Sequence, residues 1–282
     1  MKIYIVIPAH NEAEFIGKTL QSLVDQSFLP SKIVVVDDQS SDNTSEIVSR
    51  FIQKYPFISL VKNSSSEEHL PGSKVINAFN KGYHTLDEEY DIICKFDADL
   101  IFPQDYLKTI TRHFQENTKI GMAGGFCSIL KNENWILENL TDKDHIRGAL
   151  KAYRKACFLD IGKLKPAMGW DTADELLTQF HGWTIKTDKN LLVKHLKQTG
   201  ATYNPSSKYR QGEAFYRLRY GFVITCIASA KLAYLKKDIH LFKDYISGYF
   251  KAKKRKRPFL VTKQEGRFIR RLRWDKMRKK FL

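Results

Sequence analysis

Cysteine is scarce and scattered. Cys94, Cys127, Cys157 and Cys226 are the four in 282 residues, and no two form a CxxC pair. That spacing argues against a disulfide framework or a structural zinc site and fits reduced thiols in a cytosol. Long apolar runs are lacking as well. The longest uncharged apolar stretch toward the C-terminus, Tyr220–Ala230, has eleven residues, whereas spanning a bilayer takes about 20. The opening MKIYIVIPAHNE turns polar too soon for an export signal and reads as a buried strand. There is no internal repeat, and the only biased segment is KAKKRKR at Lys251–Arg257.

Acidic residues are nearly absent from the end of the chain. Between 251 and 282 there are fifteen Lys/Arg against two acidic residues, a local net of +13 out of +16 for the whole, which leaves +3 for residues 1–250. The protein reads as a nearly neutral body with a strongly basic arm. Its hydrophobic content of 43% is enough for a sizeable core.

The first half alternates strand and helix signals. Ile3–Ile7, Ile33–Val36, Ile58–Val61 and Ile92–Phe96 are short β-branched or apolar runs. Helical spacing separates them. Ile16, Leu20, Leu23 and Val24 share a face, as do Ile47, Val48, Phe51 and Ile52, and a third helix is predicted over Lys74–Leu86. Asn11 with Glu14 resembles a capping box, and Asp42 is placed to cap the second helix. Continuous apolar strands separated by helices predict an α/β fold whose open, mostly parallel twisted sheet has helices on both faces. Further on, the pattern predicts a helix over Gln104–Phe114, a strand near Gly121–Ile129, a helix over Asp174–Phe180 and a strand over Leu191–Leu196. Residues 130–170 carry no clear pattern. Gly200–Gly212 is polar and loop-like and supplies a boundary, followed by a helical, basic extension over 213–282.

Ligands of such sheets bind beyond the carboxyl ends of the strands. Asp37-Asp38-Gln39-Ser40 follows the second strand and Asp97-Ala98-Asp99 the fourth. Two acidic clusters facing one crevice repel each other unless a cation or hydrogen-bond donors compensate. That favours a metal site or a sugar-binding site, against the plainer alternative of solvated turns.

Taken together, IVIPAHNE, VVVDDQSSDNT and FDADL resemble the opening signatures of inverting glycosyltransferase family 2, which has the GT-A fold. The resemblance covers about residues 1–200. It implies a nucleotide-sugar binding half over about 1–102 and an acceptor half over 103–212. It also implies that Pro8, Ala9 and Glu12 line the base and ribose pocket, that Asp38 meets the base or ribose, and that Asp97 lies near the ribose. The stretch GSKVINAFNKG, with Gly72, Lys74 and Asn80, packs beside the nucleotide. Asp99 then ligates Mg²⁺ or Mn²⁺, and His195 completes the metal site. An inverting transferase also needs a general base. The family places a Glu-Asp pair before a helix ending near Gly-Tyr. Here GWDTADELLTQFHGWTI puts Asp171 at the Asp and Trp170 in place of the Glu, with Asp174 and Glu175 as rivals. Trp170 and Trp183 are candidates to stack on an acceptor sugar, with core packing as the alternative.

The implied partners are a UDP- or GDP-sugar donor and a glycan or glycolipid acceptor. An anionic membrane surface is expected to hold the basic arm, helped by Phe259, Leu260, Phe268, Ile269, Leu272, Trp274, Phe281 and Leu282. Nucleic acid is the lesser alternative, because the body is nearly neutral. The expected location is cytoplasmic, peripheral at the inner face of the membrane. Tyr216–Leu235 is expected to be a helix, packed on the body or lying in the interface. Two rival functions remain open. A sugar nucleotidyltransferase would carry a glycine-rich, Arg/Lys-bearing phosphate loop, and Ile3–Ile16 has none. A catalytically dead protein that binds through its basic arm would have no need of both acidic clusters. No Gln-x-x-Arg-Trp motif points to processive synthesis.

Overall fold

The computed structural model describes residues 1–64, 72–138, 145–197 and 208–281. Strands β1 (Ile3–Ala9), β2 (Lys32–Asp38), β3 (Ile58–Asn63) and β4 (Ile92–Phe96) lie parallel in the order β3-β2-β1-β4. Helices α1 (Ile16–Val24), α2 (Thr44–Lys54) and α3 (Ser73–Tyr83) separate them in sequence. Ile3, Ile5, Val6 and Ile7 are fully buried, as are Ile33, Val35 and Val36. Strands covered on both faces need such continuous apolar runs. The cover is tight: a β-carbon at Gly82 of α3 would lie 2.5 Å from Val36 and 2.8 Å from Val6.

Beyond β4 the sheet becomes mixed. β8 (Leu150–Arg154) joins β4 antiparallel, and β6 (Ile120–Lys131) joins β8 antiparallel. β9 (Thr184–His195) lies parallel to β6, and the two-residue β5 (Leu100–Ile101) pairs antiparallel with β9. β7 (Asn134–Leu137) is a hairpin partner of β6. Helices α4 (Tyr106–Glu116), α5 (Lys155–Asp160) and α6 (Trp170–Phe180) complete this half.

Two expected helix caps are corrected. Asn11 sits at φ 54°, before α1 begins at Ile16, and its Oδ1 accepts the Ser41 N–H at 2.8 Å. Asp42 accepts N–H groups from Ala13 and Thr44, each at 3.0 Å, while Asn43 is the residue that precedes α2. Both side chains fasten the loops after β1 and β2 to each other. The crevice wall takes precedence over the helix ends.

The C-terminal segment forms α7 (Lys208–Arg217), α8 (Gly221–Leu235), α9 (His240–Lys254) and α10 (Lys263–Phe281). The expected division at 212 falls inside α7, and most of the loop expected over 200–212 lies outside the described residues. α10 is docked on the body. Ile269 is fully buried, the Phe268 ring meets Phe180 edge-on at 5.5 Å, and Arg270 donates to the Arg219 carbonyl at 2.8 Å. Phe268, Ile269, Leu272 and Leu260 therefore belong to the core instead of facing lipid, which corrects the expectation for those four. Phe259 and Trp274 stay 42% and 38% exposed, and Leu282 lies outside the described residues.

α8 shows two faces. Ile224, Thr225 and Ser229 are buried, while Phe222, Val223, Ile227, Tyr234 and Leu235 stand exposed beside Lys231. No described helix is long and apolar enough to cross a membrane.

Candidate active site

The parallel register sets the crevice. Ala9 pairs with Asp37, and Val6 pairs with Lys95, so Pro8 and Ala9 lie between the carboxyl ends of β2 and β4. Ala9, Asp37 and Asp38 are buried. Asp37 is the structural member of its pair. Its Oδ1 accepts the Ser40 N–H at 2.9 Å and its other oxygen accepts from Ser45. Burial would raise its carboxyl, but the Ser40 and Ser45 hydrogen bonds outweigh this and hold it below the usual carboxylate range. Asp38 accepts from the Asn63 amide at 2.8 Å, and its carbonyl lies 2.6 Å from His10 Nδ1.

The second acidic cluster is brought to its partner by β5. Leu100 pairs with His195, and the Leu196 N–H reaches the Asp99 carbonyl at 2.9 Å. His195 Nε2 thus stands 3.3 Å from Asp99 Oδ2, with both side chains under a tenth exposed. Behind the imidazole, Glu138 lies 3.8 Å from Nδ1 and is itself paired with Arg147. Cys127, Glu138 and His195 have ligand atoms all within 4.8 Å of one another. Burial pushes the Cys127 thiol up to about 12, and its soft sulfur is a poor match for a hard ion that takes oxygen ligands. Asp99 and His195 fit a divalent ion better, with Glu138 placed to orient the imidazole.

Glu12 closes the other side. Lys197 donates to it at 2.6 Å. Burial raises its carboxyl, Lys197 pulls it down, and the charges of Asp99 and Asp97 push it up again. Asp97 remains a third exposed and is tied to Lys95, which is buried. Lys74 is half-buried in the first turn of α3, and Asn80 lies two turns further on. The start of that helix abuts the turn before α6: a β-carbon at Gly72 would lie 2.8 Å from the Ala167 carbonyl oxygen.

α6 separates the candidate bases. Asp171 is half-buried in its first turn, after Gly169 at φ 80°. Gly148 leaves room there, since a β-carbon would lie 2.7 Å from the Trp170 ring and 3.3 Å from Asp171 Cβ. Asp174 is 3% exposed and accepts from Lys151 Nζ at 2.7 and 3.0 Å and from Tyr153 Oη. Burial opposes both charges of this pair, yet Asp174, Glu175 and Asp171 together hold the Lys151 ammonium above its ordinary value. Glu175 binds His145 Nδ1 and the Ile146 N–H, each at 2.9 Å. Asp174 and Glu175 therefore knit α6 to β8 and to residues 145–146. Asp174 is enclosed and fully bonded, and burial raises its carboxyl to about 7 against the pull of Lys151.

Two lysines escaped the sequence reading. Lys95 and Lys151 are buried, and their ammonium groups lie 5.4 and 5.6 Å from the Trp170 ring. For Lys95 the available signal was a lysine inside the otherwise apolar strand IICKF. Trp170 is 7% exposed between them, and Trp183 donates to Asp160 at 2.9 Å, so both tryptophans pack.

A model of glycosyl transferase family 2 matches residues 4–161, more than half of the chain. Probable glycosyltransferase YdaM of Bacillus subtilis (strain 168) is 37% identical over 100 residues, 35% of this chain and 23% of its own length. Poly-beta-1,6-N-acetyl-D-glucosamine synthase of Staphylococcus epidermidis is 25% identical over 191 residues, 60% of this chain and 42% of its own length. The matches span less than half of either relative. Among solved structures, S. aureus TarS 1-349 in complex with UDP-GlcNAc gives a TM-score of 0.58 at 18% identity, covering 83% of this chain and 67% of that one. Mannosyltransferase PcManGT from Pyrobaculum calidifontis, in complex with GDP-Man and Mn²⁺, gives 0.57 at 16%, covering 76% and 62%. These likenesses show the GT-A fold. The family match runs from β1 through α5 and takes in both acidic clusters, and the chain belongs to glycosyl transferase family 2.

Proposed function

We propose that the chain is a metal-dependent, inverting glycosyltransferase that moves a sugar from a UDP- or GDP-sugar to a hydroxyl of a surface glycan or glycolipid. The observation that carries this is the meeting of Asp99 and His195, 3.3 Å apart, on the crevice that Glu12, Asp97 and Asp38 share. Converging carboxylates beside an imidazole call for a cation. A bound Mg²⁺ or Mn²⁺ would neutralise charge on the departing nucleoside diphosphate. The bound GDP-Man with Mn²⁺ and the bound UDP-GlcNAc of the two neighbours are in keeping with this donor class. Pro8, Ala9 and Asp38 wall the nucleoside, Asp97 faces the ribose, and Lys74 flanks the nucleotide from α3.

Asp171 is the base. It takes the proton from the acceptor hydroxyl as that oxygen bonds to the anomeric carbon. The bond from that carbon to the diphosphate breaks, and its electron pair leaves with the nucleoside diphosphate. A single displacement inverts the anomeric configuration. The nucleotide half lies in about 1–102, the acceptor half in 103–212, and the helical extension follows. The enzyme works from the cytoplasmic face of a membrane, and the exposed apolar row of α8 with its flanking lysines supports this better than the docked α10. Proton NMR of the product tests the mechanism: an inverted anomeric centre is expected, and a retained one would contradict it.

A further inference from the structure

Arg210, Arg217, Lys251, Arg255 and Arg257 of the C-terminal segment line one cavity. α7 and α9 touch backbone to backbone. A β-carbon at Gly212 would lie 1.8 Å from the Tyr245 carbonyl oxygen, and one at Gly248 would lie 2.0 Å from that of Tyr209. Only glycines allow this approach. It brings together residues spaced to share a face on each helix. Arg210, Glu213 and Arg217 come from α7, and Lys251 and Arg255 come from α9 and its end. With Arg257 they line a cavity of about 390 Å³.

Among the described lining residues, Arg217, Lys251, Arg255 and Arg257 thus stand with Glu213 as the one carboxylate. Glu213 stands 3.9 Å from Arg217 and 3.7 Å from Arg257, too far for hydrogen bonds. Burial and the charge of Arg257 both weaken the hold of Arg217 on its proton, with Glu213 opposing. Like charges gathered in a concave site are relieved by an anion, and guanidinium groups match an oxyanion's geometry. The far wall connects the cavity to the chemistry. It includes Met168, three residues before Asp171, and Ser73, the first residue of α3. A β-carbon at Gly169 would lie 3.2 Å from that of Ala214 on α7, so the turn that presents Asp171 rests on the cavity's own helix.

We propose that this cavity is an anion subsite that holds a phosphate group of the acceptor while a nearby hydroxyl of the same acceptor meets Asp171. The proposal rests on the glycosyltransferase reading and narrows its acceptor to a phosphate-bearing one. Phosphate chemistry could also belong to the donor's diphosphate, and the test separates the two sources.

The probe is inorganic pyrophosphate, titrated by calorimetry in EDTA. Lys251 and Arg255 are exposed, so K251A/R255A keeps the fold. The pair is expected to weaken pyrophosphate at least tenfold, while the exposed control pair K236A/K237A leaves it unchanged. Pyrophosphate binding equal in wild type and K251A/R255A, or weakened equally by the control pair, would overturn the subsite. In a second titration, UDP and GDP with Mn²⁺ are expected to bind K251A/R255A as they bind wild type. A tenfold loss there would assign the cations to the donor and overturn the acceptor role. Asp99→Ala separates the two readings, because it removes nucleotide binding alone. Loss of the nucleotide signal thus reports on the donor site, and loss of the pyrophosphate signal on the cavity.

Discussion

A general base needs a lone pair that the acceptor can reach, and two aspartates one helical turn apart differ in this. Asp171 is half-buried at the open start of α6, while Asp174 spends its oxygens on Lys151 and Tyr153. Asp171→Asn is expected to lower turnover by roughly 10²–10⁴-fold, with nucleotide affinity unchanged by calorimetry. Asp174→Asn is expected to act on the fold, because breaking a buried pair costs about 3–5 kcal/mol. Thermal denaturation would show it, and a normally folded Asp174→Asn that lost turnover would reverse the two assignments. Asp37 adds a pH effect. Its carboxyl sits lower in the folded chain than the ordinary value near about 3.9. Its contribution to stability is therefore complete above that ordinary value and lost as pH falls through the folded one. Asp37→Asn should flatten the stability profile in that acid range, and an unchanged slope would count against the Ser40 and Ser45 contacts as its cause.

At the scale of elements, α10 makes the sharpest distinction between a tail and a part of the body. Ile269 is fully buried, so Ile269→Ala is expected to cost about 2–5 kcal/mol in a denaturant titration. A solvated or lipid-bound arm would show no change. The sequence is misleading here because residues 263–281 carry so many cations that the narrow apolar stripe of Phe268, Ile269 and Leu272 is outweighed. The nucleotide half is legible for the opposite reason. Its strands are continuous apolar runs, and the β4 expectation, Ile92–Phe96, matches the observed strand. β8 stays illegible because LKAYR carries two cations, Lys151 and Arg154, which find partners only in the tertiary fold. His195 is reachable by resemblance, but its neighbour Glu138 is not. Nothing local marks a carboxylate that meets the imidazole across β6 and β9.

At the scale of the molecule, the C-terminal helices combine excess positive charge with exposed apolar side chains. α8 exposes Val223 and Ile227 at 57% and 40%, in a helical layer that carries most of the chain's excess cations. Each cation near an anionic leaflet adds about 1 kcal/mol of attraction. Wild type is expected to cosediment with phosphatidylglycerol-rich vesicles, and V223E/I227E to lose at least tenfold in partition, while Trp274→Ala does not. Binding lost with Trp274 and kept in V223E/I227E would return the membrane contact to α10. The whole account depends on the crevice accepting a nucleotide through a metal. The most direct measurement is calorimetric titration of UDP and GDP, each with and without Mn²⁺, into wild type and Asp99→Ala. Metal-dependent binding of one nucleotide, lost in the variant, is the predicted result. Binding that ignores Mn²⁺, or that survives Asp99→Ala unchanged, would contradict it.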